Sequence, residues 1–495
     1  MKTMQQPVSL ASYFADFRKN IVGIDEVFDT PYGVMPLVYT DWTASGRLYA
    51  PIEQRLVEDF GPYIANTHTK TDITGNLMTT AYEQARDIIK THVNAKEDDI
   101  LILTGHGMTG AINKLQRILG LKIHEKYKDQ IQLKPEEKPV VFITHMEHHS
   151  NQTSWLETLA DVIIIPYKDE KEIDFKAFEN LLQQYKDRPL KIASVTACSN
   201  VTGLIPNYQQ IAQLIHQYNG YCFVDFACSA PYVNIDMHPK NSLQNLDAIF
   251  FSPHKFLGGP GTSGVLIFNK KLYQNNIPDN PGGGTVLWTN PWGEHRYFDD
   301  PEVREDGGTP GFLQAIKTAL AIKLKEKMGV ENIQAREHEI LHKLLPAFKS
   351  IPNLKVLASE YTNRLGVISF LIDDLPYNLG VKMLNDRYGI QTRGGCSCAG
   401  TYGHILLGVD KEKSHQIARQ VEQGHEELKP GWIRLSIHPT TSDQEVAYII
   451  KAVKELAENF PDWKKDYIFI HGEYRHKSLK ESNQLSRIVQ SLFEI

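Results

Sequence analysis

Cysteine is scarce in this chain. Its 495 residues include five, namely Cys198, Cys222, Cys228, Cys396 and Cys398. So few, and an odd number, make no disulfide framework, and a reducing cytoplasm is the simplest compartment for them. Long apolar runs are missing too. No stretch approaches the length of a membrane span, and the start, MKTMQQPVSLASYFADF, has no apolar core of the kind a secretory signal needs. The expectation is a cytoplasmic protein with no membrane partner. Positive charge is not in excess: the formal net charge is -6, which argues against a nucleic-acid partner gripped through its phosphates. No internal repeat and no low-complexity linker occur. What is present, 41% apolar and 23% charged residues, is ordinary for a soluble enzyme. The length exceeds one small core, so two domains are expected.

Short apolar runs alternate with amphipathic stretches, the mark of an α/β fold. Strands are predicted over 99–104 (DILILT), 139–144 (PVVFIT), 161–166 (DVIIIP), 191–196 (KIASVT), 221–226 (YCFVDF), 247–252 (DAIFFS) and 263–268 (SGVLIF). Most are rich in Val, Ile and Phe, as strands buried on both faces should be. A helix is predicted from Asn207 to Tyr218, and the first half reads as a mostly parallel, doubly wound sheet. A change comes near Gly307. There Thr309 reads as an N-cap, Pro310 as the first helical residue, Leu313, Ile316, Leu320 and Leu324 as one apolar face, and Gly329 as the stop. New strands follow over 366–372 and 431–438. The division expected is an N-terminal segment 1–38 that joins the smaller unit, a large α/β domain 39–308, a smaller α+β domain 309–465, and a charged extension 466–495.

Ligands of open α/β sheets sit beyond the carboxyl ends of the strands, so the polar residues found there carry the most information. After DILILT comes GHGMTGAINKL. This loop opens a helix and offers N–H groups to a phosphate, but it reads equally well as an ordinary strand-to-helix turn. After PVVFIT comes HMEHHSNQTSW. Its histidines read as metal ligands, as plain loop residues, or as an imidazole stacked on a flat ring; the spacing is not HExxH, so metal is the weakest of the three. Asn200, after KIASVT, is a site donor or a turn former. Asp225, at the end of an apolar strand, needs a partner if buried, and a ring-nitrogen cation would be one. Lys255, in SPHKFLGGPG, is a solvated charge or, if buried, an amine freed for Schiff-base chemistry. A phosphate loop, a stacking imidazole, an acid and an amine together suit pyridoxal 5'-phosphate.

SPHKFLGGPGTSGVLIF, VDFACSAP, MEHHSNQTSW, SVTACSNVTG and RGGCSCAG stand in the order seen in class V aminotransferase-like enzymes. The chain most resembles their cysteine desulfurase and selenocysteine lyase branch, over roughly Tyr39 to Leu456. The resemblance implies a fold-type I pyridoxal-phosphate enzyme, a homodimer with its sites at the subunit interface, acting on a small amino acid and passing sulfur to an acceptor protein. By the same resemblance Lys255 would carry the Schiff base, Asp225 would hold the ring nitrogen, His148 would stack on the ring, and Asn200 would lie near the ring hydroxyl. Thr109, Ser252 and His254 would bind phosphate, and Thr309 would reach the phosphate of the neighbouring subunit. Arg434 would grip the substrate carboxylate, a pairing for which guanidinium is well shaped. Arg393 would open the cysteine loop and, with the loop's N–H groups, favour a thiolate at Cys398, the sulfur-accepting position.

The loop Gly-Cys-x-Cys also resembles the desulfurase-like domain of molybdenum cofactor sulfurases. The chain departs from the family in having Cys228 where a glutamine is frequent, Pro253 where glycine is common, and an apparent insertion from Val409 to Pro430. Two other readings stand beside a desulfurase. One is a pyridoxal-phosphate lyase, transaminase or epimerase of another amino acid with incidental loop cysteines. The other is a cofactor-free scaffold or sulfur-relay partner. No metal is expected, since Cys396 and Cys398 make half a zinc site and no second pair appears. Cys396 reads as a packing residue as readily as a relay thiol, while Cys198, Cys222 and Cys228 read as packing residues.

Overall fold

The seven apolar runs form one seven-stranded sheet in the computed structural model, which describes residues 9–424, 429–478 and 483–494. Parts of the N-terminal segment (1–8), of the apparent insertion (425–428) and of the extension (479–482 and 495) lie outside the described residues. The strands are β1 (Asp99–Thr104), β2 (Val140–Ile143), β3 (Asp161–Ile164), β4 (Lys191–Thr196), β5 (Tyr221–Asp225), β6 (Ala248–Phe251) and β7 (Gly264–Asn269). Their spatial order is β1-β7-β6-β5-β4-β2-β3. β7 runs antiparallel to both of its neighbours, and the other pairs are parallel.

Alternation decides which side chain meets which layer. Val140, Phe142, Cys222 and Val224 enter one core, and Val141, Ile143, Phe223 and Phe250 enter the core on the opposite face. Both faces are covered, so charged residues are confined to the ends of these strands. The helix expected after Asn207 is Tyr208–Gln217, with the Asn207 side chain accepting from Gln210 N–H.

The helix after Gly307 begins later than predicted. It spans Phe312–Met328, Thr309 is exposed, and neither Thr309 nor Pro310 belongs to its first turn. Gly311 has φ -71° and ψ 64°, and Phe312 N–H donates to the Pro310 carbonyl at 2.7 Å. That is an inverse γ-turn, which turns the chain before helical geometry starts. Gly329, at φ 76°, ends the helix as expected. Ala321, Ile322, Leu324 and Met328 pack into the core of the large sheet. This end of the helix therefore packs with that sheet.

A second sheet follows with its own core around Ile340, Leu344, Phe370, Leu435 and Val453. It comprises β8 (Leu354–Val356), β9 (Val367–Ile372), β10 (Arg393–Gly395) and β11 (Trp432–Ser436), in the antiparallel order β8-β9-β11-β10. The N-terminal segment touches both cores. Phe14 and Phe17 pack with the large sheet, Val38 packs with the small one, and Arg18 pairs with Glu445 at 2.6 Å. The extension begins as a hairpin, Tyr467–Ile470 with Glu473–His476, whose Tyr467 joins the small core.

Glu337 lies on the helix Val330–Lys349, which runs between the cores, and accepts from Gly366 N–H at 3.2 Å. It is buried, its second oxygen has no partner, and burial pushes its carboxyl up to about 8 from 4.5. Between those values folding takes up a proton, so this group's contribution to stability falls as pH rises through the window. Glu337→Gln, neutral throughout, is expected to gain on the wild type as pH rises from about 5 to about 8. Thermal unfolding across that range checks it, and a constant difference between the two proteins would sink the assignment.

Candidate active site

The carboxyl ends of the parallel strands open onto a cavity of about 440 Å³. Ten of the eleven residues singled out from the sequence line it: Thr109, His148, Asn200, Asp225, Ser252, His254, Lys255, Arg393, Cys398 and Arg434. Thr309 does not. It borders an adjacent cavity of about 530 Å³ that shares Gly105 and Thr262 with the first.

The β1 loop leads into the helix Gly107–Ile118, whose N-terminus faces this space. Gly107 has φ +58°, and a Cβ there would lie 2.8 Å from Ser252 Oγ, so the position needs glycine on both counts. Ser252 Oγ accepts from Met108 N–H at 2.8 Å, which ties the β6 loop to the start of that helix. Thr109 Oγ1 and Ser150 Oγ lie 2.6 Å apart. Thr262 Oγ1, on the same wall, is buried without a partner. A helix N-terminus ringed by hydroxyls, one of them orphaned, is a donor set for a phosphate.

Lys255 ends a single 3-10 turn, Pro253–Lys255, directly after β6. Its Nζ has no hydrogen-bond or ion-pair partner among the described residues. Burial pushes its ammonium pKa down, while the neighbouring Cys228 and Asp225 pull the other way. Asp225 is 4% exposed at the end of β5 and accepts from Ala227 N–H at 2.8 Å. Burial pushes its carboxyl up to about 6. An amine eased towards its neutral form and a carboxylate short of a cation thus stand in one enclosed space.

His148 caps the helix His149–Leu156, its Nδ1 accepting from Ser150 N–H at 3.1 Å. Burial, reinforced by Lys255, drives its pKa to about 3, so the ring is neutral and its proton sits on Nε2. His254 is likewise held neutral, at about 4, chiefly by burial. Beneath His148 lies a residue the sequence reading passed over. Glu147 is buried, accepts from Thr144 N–H, Thr144 Oγ1 and Thr196 N–H at 3.2, 2.5 and 2.9 Å, and takes Asn151 Nδ2 at 2.6 Å. It clamps the His148 loop to the end of β4. An acid in the loop that follows an apolar strand is the signal that could have found it.

The cysteine loop is tied down at several points. Asn200 Nδ2 donates to the Ser397 carbonyl at 2.7 Å, and Trp432 Nε1 donates to Ser397 Oγ at 3.2 Å. His149 N–H donates to the Cys398 carbonyl at 2.7 Å, and Gly400 N–H donates to His149 Nε2 at 3.0 Å. Ser397 and Cys398 both adopt left-handed backbone, at φ 52° and 57°, a conformation uncommon for such residues and frequent at functional sites. Cys398 is exposed and lines the cavity; Cys396 is half-buried against the cluster of Tyr402 and Trp432. Cys222 packs in the core, whereas Cys198 and Cys228 also reach the cavity wall.

Arg434 donates through Nη2 to Asp41 Oδ1 at 2.6 Å and through Nη1 to the Asn200 carbonyl at 3.2 Å. Its Nε is buried without a partner. Arg393 Nε donates to Asp41 Oδ2 at 2.9 Å. Asp41, in PLVYTDW, is the second acid the sequence reading missed.

Residues 38–449 match the family model described as "Aminotransferase class-V". The chain is 28% identical over 382 residues to a probable cysteine desulfurase of Halalkalibacterium halodurans, covering 75% of this chain and 86% of that one. It is 29% identical over 368 residues to a probable cysteine desulfurase of Staphylococcus aureus, covering 73% and 83%. Among solved structures, an apo cysteine desulfurase from Thermococcus onnurineus superposes with a TM-score of 0.72 at 23% identity, over 93% of this chain and all (100%) of that one. The cysteine desulfurase CsdA of Escherichia coli gives 0.67 at 20% identity, over 90% and 98%.

Two outcomes are expected from the supports of this site. Glu147→Ala strands several buried donors, at about 1–3 kcal/mol for each one left unpaired, so its melting temperature should fall well below that of Glu147→Gln, which keeps an acceptor. Equal losses in the two variants would argue against the clamp. His149→Ala frees Gly400 N–H, and amide exchange over Cys396–Thr401 should quicken while exchange in the sheet stays unchanged.

Proposed function

The chain belongs to the class V aminotransferase family, and from that premise we propose that it is a pyridoxal-phosphate-dependent cysteine desulfurase. It would take sulfur from L-cysteine, or selenium from L-selenocysteine, and leave alanine. The single observation that carries this reading is the convergence of Lys255, Asp225, Arg434 and Cys398 on one cavity.

The donor set fits the cofactor. The Gly107 helix terminus with Thr109, Ser252, His254 and the orphaned Thr262 hydroxyl offers a phosphate cradle; Asp225 offers the unpaired acid that a ring nitrogen requires; Lys255 offers the amine that an aldehyde requires; His148 offers a neutral ring to stack. Bound there, pyridoxal phosphate supplies an electron sink for the substrate's α-carbon.

The protein's own part is placement and proton handling. Arg434, with Nε unspent, receives the substrate carboxylate in a forked pair. Lys255 is the base and acid within reach of the substrate's α-carbon, since burial favours its neutral form. Cys398 presents its sulfur from the left-handed turn of the loop. Its thiolate attacks the substrate sulfur, an Sγ–S bond forms, and the substrate's Cβ–S bond breaks. The carbon fragment keeps the electron pair and takes up a proton to become alanine, and Cys398 is left as a persulfide. An acceptor thiol, on a protein or a small molecule, then removes the outer sulfur. Within the same proposal the enzyme is a homodimer, and exposed Thr309, beside the cavity that adjoins the cofactor cradle, serves the phosphate of the second subunit.

L-cysteine is expected to yield alanine from the yellow holoenzyme, with a mass increase of one sulfur on the peptide carrying Cys398. Cys398→Ala should lose nearly all alanine formation from cysteine while its cofactor absorbance is retained. Alanine at the wild-type rate from that variant would overturn the nucleophile, and no alanine from the wild type would overturn the reaction.

A further inference from the structure

Asp41 has no part in the chemistry above, yet both arginines of the site lean on it. The register of the small sheet creates the need. Arg393 on β10 lies directly opposite Arg434 on β11 across an antiparallel pair, and like charges so placed repel. The stretch from Val38 to Asp41 brings in the remedy. Val38–Tyr39 pairs with Ile390–Gln391, Asp41 bridges to Ser436, and the Asp41 carboxylate comes to rest with one oxygen on each guanidinium, at 2.6 and 2.9 Å.

Two cations and one anion leave one positive charge. Arg434 shows where it is directed. Its side chain is 3% exposed, Nη1 is on a backbone carbonyl, Nη2 is on Asp41, and Nε points at no acceptor. Arg393 is half exposed, five residues from Cys398, where the side chain of a substrate must arrive; its Nε is already on Asp41.

We propose that Asp41 is a specificity-determining residue, a resident carboxylate that makes two arginines into a receptor for a single anionic group. It holds Arg434 by one nitrogen and leaves the Nε edge for the α-carboxylate. It also pairs with Nε of Arg393 and leaves that residue's Nη groups without a partner among the described residues, so that the cation beside Cys398 carries a counter-charge and draws an acidic side chain less strongly than a bare guanidinium would. The site thereby selects amino acids whose side chain is uncharged or a thiol over those that carry a second acid. The inference rests on the amino-acid site proposed above, but not on its sulfur chemistry.

The test compares the holoenzyme's binding of two unreactive ligands, L-alanine with one acid group and L-aspartate with two, by calorimetry. The wild type is expected to favour L-alanine. Asp41→Asn should shift the ratio towards L-aspartate by at least about tenfold, and Asp41→Glu should restore the wild-type preference. Arg393→Gln, a change at a half-exposed side chain, should shift the ratio the other way and gives a second measurement if Asp41→Asn folds poorly. A ratio unchanged in the folded variants, with both affinities moving together or only the melting temperature falling, would mean that Asp41 merely neutralises the sheet and would overturn the proposal. The ratio reads out even if L-cysteine yields no alanine, so failure of the desulfurase reading is separately visible.

Discussion

A carboxylate buried at the end of an apolar strand is the constraint on which the site depends. Asp225 is 4% exposed, with β4 and β6 on either side and a single N–H donated to it. Taking a carboxylate out of water without a cation is costly, and burial has already driven its proton affinity up. The fold answers by placing Lys255 just beyond the end of the adjacent strand, half-buried and also pushed towards neutrality. Neither group satisfies the other through a hydrogen bond. The pyridoxal phosphate proposed above would bring a cationic ring nitrogen to one and a carbonyl carbon to the other.

The rest of the architecture holds these two groups in place. Parallel order puts the ends of β2, β4, β5 and β6 side by side, and each contributes one polar residue or loop. Glu147 fixes the first loop to the second strand end, Ser252 fixes the lysine loop to the helix that starts at Gly107, and Asn200 joins the second loop to the cysteine loop of the other core. The site is therefore assembled from both cores, and motion of the small one changes the relation of Cys398 and Arg434 to Lys255.

Much of this was legible in the sequence, and the physical reason is burial. Strands covered on both faces must be apolar throughout, so the seven runs stood out, and the polar residues ending them were conspicuous by contrast. What escaped were features fixed by distant partners or by backbone geometry. Asp41 meets Arg393 and Arg434 across separations of 352 and 393 residues, which no local pattern records. Glu147 was hidden between Met146 and the more conspicuous His148 and His149. The late start of the helix at Phe312 came from a γ-turn at Gly311 that the sequence TPGF does not distinguish from a Thr-capped, Pro-led first turn.

The two loop cysteines show how far the fold goes beyond composition. One residue apart, they look alike as letters. Cys396 precedes the left-handed pair and packs its sulfur against an apolar cluster; Cys398 is the second of that pair and is turned out to the cavity. The carbonyls of residues 397 and 398 are held by Asn200 and His149, so the backbone strain at these positions is sustained by hydrogen bonds from the large core. Those same bonds aim the Cys398 thiol. A loop that is both strained and latched can release when a latch is broken, which is what the sulfur carrier proposed above would need in order to receive sulfur inside the cavity and offer it to an acceptor outside.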